Sequence, residues 1–129
     1  ITPYISPGNT HSYYVYPLQI DPSLLSCARD VICSALQAEG VPIAAGYQNI
    51  HLLPMYQKKI AYGTGGFPWT SPYCRRFVNY SQGICPVAEY LHTHTYMGIG
   101  LCSYDYTEDD IHLIADAFEK VWENLTRLR

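Results

Sequence analysis

The sequence predicts an α+β domain of two layers, a small and mostly antiparallel sheet with helices on one face. Three observations predict it. Two helical patterns carry their own caps, three short β-rich runs stand between turn signals, and 129 residues suit a single core.

Residues 1–10, ITPYISPGNT, read as a linker, and the chain opens on Ile1 rather than on a methionine. Both fit a piece that begins between domains, with the domain proper at residues 11–129. Residues 11–20, HSYYVYPLQI, alternate Tyr and Val in the manner of a strand covered on both sides. Pro17 removes a ladder donor, so the strand belongs at an edge or carries a bulge there.

The first helix is expected to start at Asp21 as N-cap with Pro22 at its first position, where a missing N–H costs nothing. Leu24, Leu25, Ala28, Val31, Ile32, Ala35 and Leu36 follow at helical spacing, and Gly40 supplies a left-handed stop. Residues 41–45 form the second strand. Residues 57–84 hold Gly63, Gly65, Gly66, Pro68, Pro72 and Gly83 and show neither period, which marks a long functional or mobile loop.

Helix resumes with Pro86 after Cys85, and residues 97–102 form the third strand. Thr107 with Asp110 three residues on makes a capping box, and Glu108, Asp109 and Asp110 complement the helix dipole. Ile111, Ile114, Phe118, Val121, Trp122 and Leu125 supply the buried stripe of this last helix.

A net charge of −3, with basic residues scattered apart from Lys58-Lys59 and Arg75-Arg76, leaves no stripe to follow a phosphate backbone. Nucleic acid is excluded as a partner on that ground. No apolar run approaches the length of a membrane span and no signal peptide is visible, so no membrane partner is expected. Five cysteines, an odd number at irregular spacing, read as reduced thiols and point to a cytoplasmic protein.

Among candidate sites, His92 and His94 would converge on a metal only from a strand; on the helix favoured by the local pattern they diverge, and no metal site is expected. Gly63 to Gly66 lack the helix that a phosphate loop needs behind it, and read as a turn. Cys27 and Cys33 read as small buried hydrophobes, since no base stands near them in sequence. Tyr47, His51 and Tyr56 are the strongest set. They follow a strand end beside Gln48 and Asn49, a place where loops commonly hold binding residues, and suit contact with a polyol or sugar. Arg75 and Arg76 suit either a ligand anion or plain solvent exposure.

Several of these segments together resemble the C-terminal domain of the DegT/StrS group of pyridoxal-phosphate-dependent sugar aminotransferases. The family's H-S-Y strand is matched by His11-Ser12-Tyr13-Tyr14, and its G-Y-x-x-I/L-H segment by Gly46-Tyr47-Gln48-Asn49-Ile50-His51. Pro54-Met55-Tyr56 and Cys85-Pro86-Val87-Ala88-Glu89 match two further motifs, and the resemblance covers nearly the whole chain.

The resemblance implies the small domain of a fold-type I enzyme that moves an amino group from glutamate or glutamine to a keto sugar or keto cyclitol. It also implies a homodimer and a cofactor, pyridoxal phosphate, held by the larger N-terminal domain of the same polypeptide. Lys58, Lys59 and Lys120 do not stand in the family's lysine context, so no catalytic or cofactor-binding residue carries over and the isolated chain is expected to be inactive. Tyr47, His51 and Tyr56 are then expected to touch substrate. The alternative is a stand-alone α+β module that binds a small metabolite without catalysis.

Overall fold

The computed structural model describes residues 1–128. Three short strands, β1 (Tyr16–Gln19), β2 (Ile43–Ala45) and β3 (Tyr96–Ile99), form an antiparallel sheet in the order β1-β3-β2. With helices α1 (Arg29–Ala38), α2 (Pro54–Lys58), α3 (Pro86–Tyr90) and α4 (Glu108–Glu123), this is the small α+β domain that the patterning predicts.

β1 is an edge strand, and Pro17 sits opposite Gly98 of β3. An edge is where the missing proline N–H breaks no sheet in the middle. Strand alternation divides the sheet into two faces. Leu18 pairs with Met97 and Ile43 with Ile99, and these side chains enter the core beside Ile32 and Leu36 of α1, both 0% exposed. Pro17, Gly98 and Tyr96 lie on the other face. α4 packs against α1 and adds Ala117 and Val121 to the same cluster.

The first helix is corrected by the structure. Asp21 does cap, its carboxylate accepting from the Ser23 N–H at 2.9 Å, but only for a short 3-10 turn over Pro22–Leu24. Leu25 and Ala28 are extended, and α1 starts afresh at Arg29. Tertiary contact overrides propensity here. Leu25 and Cys27 pack against the core, and Arg29, only 7% exposed, donates to the carbonyls of His92 (2.6 Å), Tyr96 (3.1 Å) and Thr93 (3.2 Å). Gly40, at φ +90°, ends the helix in the left-handed region as its position suggests.

The last helix carries the full capping box, with Thr107 accepting from the Asp110 N–H and Asp110 from the Thr107 N–H. Its stripe is narrower than the sequence suggests. Ile111 and Trp122 are 47% and 40% exposed, whereas Ala117 and Val121 are buried. Two further segments go beyond the sequence reading. A 3-10 turn over Ile50–Leu52 runs into α2, and α3 widens into a π-turn over Leu91–Thr95. The third strand is shorter than residues 97–102, because Leu101–Ser103 forms a 3-10 turn.

Candidate functional site

Residues that enter β1, the segment that leaves β2, and the α3 turn meet around an open groove of about 640 Å³ on the face of the sheet away from the core. Tyr14, Val15 and Pro17 form one wall, Tyr47 to His51 the second, and Ala88, Leu91 and His92 the third, with Tyr96 at the sheet. Its lining is largely apolar and aromatic, with polar atoms at a few places. That is the usual composition of a small-molecule site.

Two glycines allow the groove to exist. At Gly46, φ is +73° and an added Cβ would lie 2.8 Å from His92 Nδ1, so only glycine lets the chain leave β2 across the His92 ring. At Gly98 an added Cβ would lie 2.7 Å from Val15 and 2.9 Å from the Tyr96 hydroxyl. The bare strand there lets both side chains lie over the sheet.

The polar fittings are specific. The Tyr47 and Tyr14 hydroxyls are 3.0 Å apart, and this hydrogen bond raises the Tyr47 pKa. Tyr47 also meets the Tyr96 ring edge to face at 6.0 Å. His51 Nε2 lies 2.8 Å from Glu89 Oε1, with both side chains largely buried. Glu89 is a hub, since its carboxylate also accepts from the N–H groups of Gly83 (2.8 Å) and Cys85 (3.3 Å). Burial alone would raise the Glu89 carboxyl, but the hydrogen bonds from Gly83, His51 and Cys85 outweigh it and hold the carboxyl below its ordinary value.

The structure therefore brings Tyr47 and His51 into one groove, together with Gln48 and Asn49. Tyr56 goes elsewhere. Its ring packs on Tyr80 at 5.2 Å and on Trp69 at 6.1 Å, and it lines a smaller recess formed with residues 77–81. Arg75 and Arg76 are exposed and stand outside the groove. His94 stacks on Tyr90 at 4.8 Å, and His92 faces the groove instead. No cluster of three His, Cys, Asp or Glu that could hold a metal occurs among the described residues. Gly63 and Gly66 form a turn closed by a bridge between Tyr62 and Phe67. Cys33 is buried, and burial pushes its thiol up to about 11, so it is a poor nucleophile.

The sequence reading did not assign Tyr14, Tyr96 and His92 to the groove, nor Glu89 as the partner that holds His51 there. Glu89 had a signal, an acid in the first turn after Cys85-Pro86; Tyr96 had none.

No family model matches the chain. Over 77 residues, 59% of the chain, it is 29% identical to the spore coat polysaccharide biosynthesis protein SpsC of Bacillus subtilis (strain 168). The match spans 20% of that relative's length. Among the described residues no helix is long and apolar enough to cross a membrane.

Proposed function

We propose that this chain is the small, C-terminal domain of a pyridoxal-phosphate-dependent aminotransferase that acts on a keto sugar or keto cyclitol, with glutamate or glutamine as amino donor. The observation that carries the reading is the groove. Three of the four segments that bear the aminotransferase-like motifs, residues 11–14, 46–51 and 85–89, converge on it although they are far apart in sequence, while the fourth, residues 54–56, lies outside it. Likeness to a protein of polysaccharide biosynthesis supports a sugar-handling role.

The residues present do not fit the cofactor. Lys59 lies over the Phe77 ring at 4.9 Å, Lys120 pairs with Glu39 at 2.6 Å, and Lys58 is exposed on α2, so no lysine lines the groove. In this proposal the reactive lysine, the acid facing the pyridine nitrogen and the phosphate cup belong to a larger N-terminal domain, and a homodimer in the cytoplasm completes the enzyme. This domain supplies the substrate wall. Tyr14, Tyr47 and Tyr96 offer faces to the C–H surface of a ring, and His51, oriented by Glu89, offers its remaining polar edge to a hydroxyl.

The test is twofold. The isolated chain mixed with pyridoxal phosphate gives no saturable Schiff-base band above the background of exposed lysines, whereas the protein expressed from the whole gene does, and transfers an amino group to a keto sugar. A whole-gene product without a lysine-bearing cofactor domain would overturn the reading and favour a stand-alone metabolite-binding module.

A further inference from the structure

Two walls of the groove touch through a pair of phenols. Tyr14, on the way into β1, and Tyr47, on the way out of β2, stand in different walls with their hydroxyl oxygens 3.0 Å apart. Both side chains are open to solvent, at 67% and 53% exposure, and among the described residues neither hydroxyl has another partner. A molecule in the groove can therefore reach both.

A phenol hydroxyl has one hydrogen to donate and lone pairs with which to accept. The bond between the two uses up one hydrogen and one lone pair, whichever residue donates. What remains is a free O–H on the accepting oxygen and free lone pairs on the donating one, side by side. A lone hydroxyl or carbonyl on a ligand answers one of these positions well. Two neighbouring hydroxyls on a ring, in the gauche arrangement, answer both, because their own spacing is close to that of the phenols. One accepts from the free phenol O–H, and the other donates to the second phenol oxygen. The result is an unbroken chain of hydrogen bonds through ligand and protein, in which each bond polarises the next.

The surroundings suit the rest of such a ligand. Tyr47 is set edge to face against Tyr96 at 6.0 Å, and Val15, Ala88 and Leu91 offer apolar wall to the C–H faces of a ring. Among the described residues no Lys, Arg, Asp or Glu lines the groove, so no fixed charge competes with hydroxyl recognition there. We propose that Tyr14 and Tyr47 act together to read a vicinal diol on a ring, and so set a preference for hydroxylated over deoxygenated ligands. The inference rests on the groove being the ligand site, as in the reading above, but requires no amino-transfer chemistry.

The test compares the vicinal cis-cyclohexanediol with the isomer whose hydroxyls lie across the ring, by chemical-shift titration of the whole-gene protein. The two probes share every atom and differ in the distance between their oxygens. The vicinal isomer binds about tenfold tighter, the equivalent of one net hydrogen bond. Tyr14→Phe and, separately, Tyr47→Phe each remove one phenol oxygen and bring the two affinities level, while Tm stays unchanged because both positions are exposed. Titrations with myo-inositol and with methyl glucopyranoside tell a carbocyclic source of the diol from a pyranose one, since the ring that is read loses about tenfold in affinity in both variants.

Equal binding of the two isomers to the wild-type protein overturns the proposal, as does a preference that survives in both variants. So does a fall in Tm with equal weakening toward both isomers, the mark of a clasp that serves the fold alone. An assay of amino transfer on the wild-type protein separates the two readings. Diol preference without amino transfer sinks the aminotransferase and leaves this pair standing; amino transfer with no diol preference does the reverse.

Discussion

On the core face of the sheet, α1, α4 and the inward residues of the strands bury ten apolar side chains in one cluster, led by Ile32, Leu36 and Met97. The groove face is held by single polar ties instead. Glu89 collects His51 and two backbone amides, and Gln57 bridges the carbonyls of His51 and Tyr80. Apolar packing is non-directional and depends on volume, whereas these ties depend on individual atoms and charge. The difference teaches that the groove can be altered in shape and specificity without unfolding the domain that carries it.

The largest expected effect lies on the core side. Leu36→Ala, at a fully buried position, should cost roughly 2–5 kcal/mol in denaturant unfolding and bring down the groove with it. A loss under about 1 kcal/mol would show that the two faces differ less than the burial suggests.

Arg29 joins the faces, and Arg29→Met removes the side-chain donor from the carbonyls of His92 and Thr93 and from that of Tyr96, which keeps only the Gly46 N–H. The expected loss is roughly 2–4 kcal/mol, with hydrogen-exchange protection falling first over residues 91–96. Uniform loss across the chain would dissolve the distinction between the two regions.

The next prediction concerns charge. The folded Glu89 carboxyl lies below its ordinary value, so its contribution is present above the unfolded carboxyl pKa, near 4.3, and disappears as pH falls through the lower folded value. The Gly83 amide resonance should therefore move in acid, at a pH below the ordinary carboxyl range, while core methyl signals stay fixed. Glu89→Gln should abolish that transition, and a Gly83 signal that still titrates would place the proton elsewhere.

The smallest effect is local. Thr107→Ala removes one half of the capping box and should cost about 1 kcal/mol, measured as a small drop in Tm with the groove resonances unmoved.

What could be read from the sequence follows the same division. Caps and stops that act within a few residues were legible, as at Thr107 and Asp110 and at Gly40, and Pro17 narrowed β1 to an edge position or a bulge, of which the structure has the edge. The break between Asp21 and Arg29 was not, because its cause is a side chain reaching carbonyls more than 60 residues away. The set Tyr47, His51 and Tyr56 looked like one cluster because the three are near in sequence. The 3-10 turn at Ile50–Leu52 and helix α2 turn the chain between them, so Tyr56 joins Trp69 and Tyr80 instead. Asn49 and His92 were visible as polar residues, but only tertiary structure brings them, one buried and one half-buried, to the same groove.

The most direct test of the central claim, that this domain shapes a substrate pocket while the cofactor is held elsewhere, is His51→Ala in the whole-gene protein. The account predicts that kcat/KM for the keto-sugar acceptor falls about tenfold or more while bound pyridoxal phosphate, read from its absorbance, is unchanged. Unchanged acceptor kinetics, or parallel loss of the cofactor band, would contradict it.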